Sequence, residues 1–180
     1  METTKEKLQK AFDNLKKDFG YTNKFATPKI VKVVVNSSTG STKDKKKIEL
    51  VQDRMAKIVG QKVAPRAAKK SIATFKLREG DIIGYSATLR GARMTNFLDK
   101  LINIAIPRTR DFQGIERSSI DEMGNLTIGI KEHTIFPETA DEDLKDVFGL
   151  SITVVTTAKT PKEAEGLLDH VGIPFVKKKD

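Results

Sequence analysis

Seven residues, Ile30 to Asn36 (IVKVVVN), hold five β-branched side chains and lie between two stretches of a different period. Stiff, branched side chains pack well on a pleated surface, so this segment predicts a strand. Upstream, Leu8, Phe12, Leu15 and Phe19 form one apolar stripe at helical spacing, opened by Thr3 and Glu6 in capping-box register and closed by Gly20. Downstream, Ile48, Val51, Met55 and Ile58 repeat at the same period between Asp44, a candidate N-cap, and Gly60, a candidate stop. A strand between two amphipathic helices confines the chain to folds in which helices cover a sheet.

Further along, SIATFKL (Ser71 to Leu77) and IIGYSATL (Ile82 to Leu89) alternate with period two around REGD, which predicts either a hairpin or a long protruding loop. Met94, Phe97, Leu98 and Leu101 make a third helical stripe that Pro107 should end. NLTIGIKE (Asn125 to Glu132) and LSITVVTTA (Leu150 to Ala158) are expected as strands, and Pro161 should open a last helix through Leu168. SSTGSTKD reads as a polar loop and PETADEDLKD as an acidic loop or short helix. The order is helix, strand, helix, two or three strands, helix, two strands, helix. It predicts an α+β fold, with helices on one face of a mainly antiparallel sheet, in a single domain over 1–180.

Charge decides which functions are open to such a fold. The net charge of +9 is unevenly spread. Residues 1–59 carry fourteen Lys and Arg against seven Asp and Glu, residues 60–93 eight against two, and residues 119–150 two against eight. The absence of cysteine excludes disulfides and thiolate metal sites. The N-terminus lacks the apolar region of a secretory signal and no apolar run reaches membrane-spanning length, so a cytoplasmic protein without a membrane partner is expected.

Catalytic constellations are poorly supplied. His133 and His170 each stand without a second histidine or repeated carboxylates at ligand spacing, and neither a Walker loop nor GxGxxG is present. No cofactor or metal is expected. The acidic run Glu138, Asp141, Glu142, Asp143 has neither the spacing nor the glycine of a calcium loop. A free RNA-processing enzyme or nuclease, using His133 and nearby carboxylates, is the competing enzymatic reading.

The segment Lys62, Arg66, Lys69, Lys70, Lys76, Arg78, Arg90, Arg93 is opposed only by Glu79 and Asp81. Such density is the footprint of a nucleic-acid binder, because neutralised phosphates release condensed counterions; a solubilising face is the bland alternative. Aromatics make up 6% of the chain, and Phe75 and Tyr85 are the only ones in this segment. Base stacking is therefore less favoured than contacts to phosphate, ribose and RNA shape, with Asn36, Gln61 and Thr88 as neutral partners. Composition alone leaves RNA and DNA equally open.

GQKVAPRAAKKSIATFKLREG (Gly60 to Gly80), TLRGARM (Thr88 to Met94), IPRTRDFQG (Ile106 to Gly114), GNLTIGIKEHTIFPE (Gly124 to Glu138) and TTAKT (Thr156 to Thr160) together resemble the bacterial form of the fifth protein of the large ribosomal subunit. The likeness runs nearly the whole chain, to IPF at Ile173 to Phe175. It implies a five-stranded antiparallel sheet with helices on one side and a non-enzymatic role in translation, within the large subunit at its central protuberance. By motif position it implies that Asn36, Gln61 and Thr88 meet 5S ribosomal RNA, and the basic run adds Lys62, Arg90 and Arg93 as electrostatic candidates. It implies that the loop bearing Lys69, Lys70, Ser71, Lys76 and Arg78 reaches peptidyl-site tRNA.

The resemblance also implies neighbouring large-subunit RNA, the eighteenth and twenty-fifth large-subunit proteins and the thirteenth small-subunit protein as partners. The acidic region of Phe136, Glu138, Asp141, Glu142, Asp143 and Asp146 is assigned to the last of these, a bridge between the subunits, because acidic groups would repel RNA and attract a basic protein. Ser37, Ser38 and Thr39 depart from the family's glycine-rich turn, as does Ser86, where a basic residue is expected.

Overall fold

The computed structural model describes residues 3–40, 44–110, 112–139 and 147–176. Among these residues, four helices, α1 (Thr4–Phe19), α2 (Lys45–Val59), α3 (Gly91–Lys100) and α4 (Pro161–Val171), accompany five strands. The strands are β1 (Ile30–Ser38), β2 (Ala64–Ala67), β3 (Ile82–Leu89), β4 (Leu126–Ile130) and β5 (Leu150–Thr156), in the order β2-β3-β1-β5-β4. The α+β class with an antiparallel five-stranded sheet is as expected. Along β5 every second residue, Leu150, Ile152, Val154 and Thr156, is buried while those between are half-exposed, the pattern of a sheet covered on one face.

Local chemistry sets the helix ends. Thr3 and Glu6 form the capping box, Asp44 accepts the Lys46 N–H at 3.0 Å, and Thr160 caps α4 with Pro161 at its first position. Gly20 (φ 67°) and Gly60 (φ 69°) close α1 and α2 in the left-handed conformation.

The chain divides into two compact units. The first takes Met1–Val33, Leu89–Ile128 and Thr153–Asp180; the second takes Val34–Thr88 and Gly129–Ile152.

In the first unit α1 lies against α4 and α3. A Cβ on Gly166 would stand 2.8 Å from Phe19 Cε2, so the missing side chain is what allows α1 and α4 to approach. Asp99 of α3 accepts the Thr4 N–H at 2.7 Å, and Lys7 Nζ donates to the Val171 carbonyl at 2.9 Å. His170 donates through Nε2 to the Lys7 carbonyl at 2.7 Å, which leaves Nδ1 to accept from Asn14 Nδ2 at 3.2 Å. This histidine fastens two helices together. The predicted stripe on α1 is buried deepest at Leu15, with Ala11 and Thr4, while Leu8, Phe12 and Phe19 are half-buried.

Pro107 does not cut the third helix short. After α3 the chain widens into a π turn, Leu101–Ala105, where the Ile106 N–H reaches back to the Leu101 carbonyl, and Pro107 sits in a final 3-10 turn. The wider turn keeps the chain helical up to a residue that has no N–H to donate.

Tyr21 stacks on Phe19 with ring centroids 5.9 Å apart, and its buried hydroxyl lies beside the Glu163 carboxylate. Desolvation, reinforced by the Glu163 carboxylate, pushes this hydroxyl from 10.0 up to about 12. The folded value is raised, so the neutral hydroxyl's contribution is whole below the unfolded value and is lost as pH rises through the folded one. Thermal melts of Tyr21→Phe should show a variant that loses less stability than the parent between pH 10 and about 12.

The second unit buries Met55, Ile58, Leu150 and Ile152 together with two groups read from sequence as functional. Phe136 is wholly buried, with 0% of its surface exposed. His133 is buried to the same degree, stacked on Phe148 at 4.1 Å.

Candidate nucleic-acid interface

On the side of β3 away from β1, the paired strand is β2, Ala64–Ala67, and not the expected SIATFKL segment. Residues 71–77 instead form a loop tip with a 3-10 turn at Ala73–Phe75 and a small bridge between Ile72 and Leu77. APRA lacks β-branched residues, and Pro65 removes one ladder donor, so local propensity conceals it. Its place at the sheet's edge is where a strand tolerates proline.

This pairing places the guanidinium of Arg66. Arg66 lies opposite Gly84 and Ala64 opposite Ser86, so Arg66, Ser86 and Thr88 share one face of the β2–β3 pair. Arg66 Nε donates to Ser86 Oγ at 2.6 Å, and Ser86 is buried. The serine that replaces the expected basic residue thus anchors an arginine from the neighbouring strand. Thr88, two residues on, is exposed.

Gln61 follows the left-handed Gly60 that ends α2, and its Nε2 donates to the Thr88 carbonyl at 3.2 Å. Sequence positions 61 and 88 are thereby brought together, with Lys62 exposed beside them. Asn36 is exposed on β1. Ser37, from the departing turn, is buried and donates to the Gly149 carbonyl at 2.9 Å, continuing β1 two residues beyond Asn36.

The β2–β3 connection is the long protruding loop. Its neck is closed by Ala68 N–H to the Asp81 carbonyl at 2.8 Å and Gly80 N–H to the Ala68 carbonyl at 3.0 Å. Its tip is closed by reciprocal bonds between Ile72 and Leu77 at 3.0 and 3.1 Å. The Ser71 hydroxyl accepts the Glu79 N–H at 2.9 Å, which makes Ser71 a brace of the loop. Lys69, Lys70, Lys76 and Arg78 are exposed on this frame, Lys76 in a left-handed conformation with φ 51°. Phe75 is 72% exposed at the tip, whereas Tyr85 is buried in β3 and provides no platform.

Arg90 and Arg93 belong to the first unit. Arg90 is the N-cap of α3 and Gly91, at φ 57°, turns the chain into the helix, a conformation that favours glycine. The first turn of α3 has no side-chain cap and no acidic residue, so its N–H groups and the two exposed arginines offer one positive end.

Two expectations require correction. Phe136 presents no surface to a partner: its ring fills the core, and only Glu138 of the predicted bridge residues is described and exposed. Asp141, Glu142, Asp143 and Asp146 lie outside the described residues. His133 is no accessible base, because its Nε2 is 3.5 Å from Arg54 Nη1 and its Nδ1 accepts the Phe148 N–H at 3.4 Å inside the core. Among the described residues no group of three or more His, Asp and Glu could hold a metal ion, and no helix is long and apolar enough to cross a membrane.

An α+β fold with an edge-strand arginine and a braced loop of exposed lysines and arginine carries the electrostatic footprint of a nucleic-acid-binding class. Comparison with known sequences gives that class a family. A model described as ribosomal protein L5 matches residues 23–78, and the model for the C-terminus of the same ribosomal family matches residues 82–175. The large ribosomal subunit protein uL5 of Malacoplasma penetrans (strain HF-2) is 51% identical over 168 residues, covering 93% of this chain and 90% of that protein. The uL5 of Ureaplasma urealyticum serovar 10 is 49% identical over 169 residues, with 93% and 92% covered. That of Thermoanaerobacter sp. (strain X514) is 46% identical over 179 residues, with 98% and 100% covered. The chain belongs to the ribosomal protein L5 family.

Proposed function

We propose that the chain is a structural, non-enzymatic constituent of the large ribosomal subunit that binds 5S ribosomal RNA. The observation that carries this reading is the joining of Gln61 to Thr88 at the end of β3, with Arg66 held over Ser86 on the same strand pair. Hydrogen-bonding groups held by backbone and strand geometry, with cations beside them, suit phosphate and ribose contacts that fix register without reading base edges. Lys62 and Asn36 add to this surface in the second unit, and Arg90 and Arg93 act from the positive end of α3 in the first.

The loop 68–81 carries Lys69, Lys70, Lys76 and Arg78 towards peptidyl-site tRNA, with Ser71 as its brace. Its closed neck and tip lower the ordering cost of meeting a mobile ligand. Glu138, with the acidic residues that follow it in sequence, faces the basic thirteenth protein of the small subunit. Neighbouring large-subunit RNA and the eighteenth and twenty-fifth large-subunit proteins complete the surroundings, in the central protuberance of a cytoplasmic ribosome.

Equilibrium filter binding of the full chain to 5S RNA, against an unrelated RNA of equal length, tests this reading. Tighter binding to 5S RNA is expected, and equal binding to both would sink it.

A further inference from the structure

The most exposed large apolar side chain among the described residues is Phe25, at 84%, in the first unit. A single exposed apolar residue is ordinary, and what sets this one apart is how firmly it is held out. It sits in a 3-10 turn, Lys24–Ala26, whose N-cap Asn23 accepts the Phe25 N–H at 2.9 Å. Beyond the turn Thr27 is buried, and the Lys29 backbone is tied on both sides to Thr157. The Lys29 N–H donates to Thr157 Oγ1 at 2.9 Å, and the Thr157 N–H donates to the Lys29 carbonyl at 2.9 Å. The ring itself meets an ammonium, with Lys29 Nζ 5.3 Å from its centroid. Lys24, its neighbour in sequence, is exposed as well.

An aromatic ring presented on a fixed turn, with the Lys29 ammonium over it and Lys24 next to it in sequence, matches an unstacked nucleobase with phosphates on either side. The ring supplies a π face that any base can cover, and the ammonium groups take the adjoining phosphates. Because the turn is already capped and pinned, the platform needs no further ordering when a base arrives. The geometry points to Phe25, with Lys24 and Lys29, as a stacking site for one unpaired RNA base on the first unit. Phe75 and Tyr85 are the aromatics of the basic segment 60–93, and this ring lies outside it. The inference rests on the RNA reading above and adds a stacking contact to it.

The chain has no tryptophan, so Phe25→Trp gives the full protein a single indole fluorophore at the ring's own position. Titrations use 5S RNA, a single-stranded oligouridylate of about ten residues and an RNA duplex of the same length, a span of the order that such grooves track. Saturable quenching by 5S RNA and by the single strand, beyond that by the duplex, is expected. Phe25→Leu should weaken 5S RNA binding about tenfold and Phe25→Tyr should restore it, with melting temperatures unchanged because the ring lies outside the core. No quenching, a Leu variant that binds like the parent, or a Tyr variant that fails to restore binding each overturns the stacking site and leaves the RNA reading standing. A parent chain that binds no 5S RNA overturns both.

Discussion

Phe136→Ala is expected to lower the free energy of unfolding by about 3–5 kcal/mol, the range for removing a wholly buried aromatic ring and leaving a cavity. Phe136 N–H bonds to the His133 carbonyl at 3.1 Å, and the Thr139 hydroxyl donates to that same carbonyl at 2.9 Å, so the ring is set in a turn tied to a buried histidine. Loss of the ring therefore loosens the second unit's core around His133. Urea unfolding followed by circular dichroism reads the change. A cost below about 1 kcal/mol would return Phe136 to the surface, where substitutions of this kind are nearly silent.

Separation of the two basic surfaces is the second large effect. Arg90→Ala is expected to weaken 5S RNA binding about tenfold or more, the loss of one charge-assisted hydrogen bond to phosphate. Arg90 is exposed at the uncapped start of α3, and its replacement touches no core residue. Lys69→Ala combined with Lys70→Ala should leave 5S RNA affinity within about twofold, since both lie on the braced loop, and should instead loosen peptidyl-site tRNA on assembled ribosomes. Filter binding and tRNA release on the same variants give the ranking. The reverse order would show that the loop holds 5S RNA and that the proposed division of surfaces is mistaken.

Most of the helical framework was legible because its signals are local. A Thr-x-x-Glu box, an Asp N-cap, glycines in the left-handed region and a proline at a first helical position act within a few residues of chain. The edge strand was not legible. SIATFKL has the better alternation, yet APRA takes the ladder, because pairing with β3 and the edge position outweigh propensity there. The loop was one of two open readings, and its neck bonds join Ala68 to Gly80 and Asp81, residues distant enough in sequence to leave no local pattern.

At the site, the basic run identified the chemistry but not the geometry. That Gln61 bonds Thr88, that Ser86 is buried beneath Arg66, and that Tyr85 points into the core all depend on strand register. Burial also decides two readings: Phe136, grouped with an acidic run as an interface residue, and His133, a base only in the competing enzymatic reading. Both are core residues, and nothing in the spacing of their neighbours distinguishes the two situations.

The central claim is that exposed cations on ordered strands, loops and a helix end grip RNA phosphate. Four of them, Lys62 and Arg66 in the second unit and Arg90 and Arg93 in the first, are read as phosphate contacts to 5S RNA. At about 0.7 to 0.9 per phosphate neutralised, four contacts give a slope near −3 in a plot of log affinity against log salt. Measuring 5S RNA binding by the full chain across a salt series tests this directly: the account predicts a slope of about −3 or steeper. A flat response would contradict it, whatever the affinity at a single salt concentration.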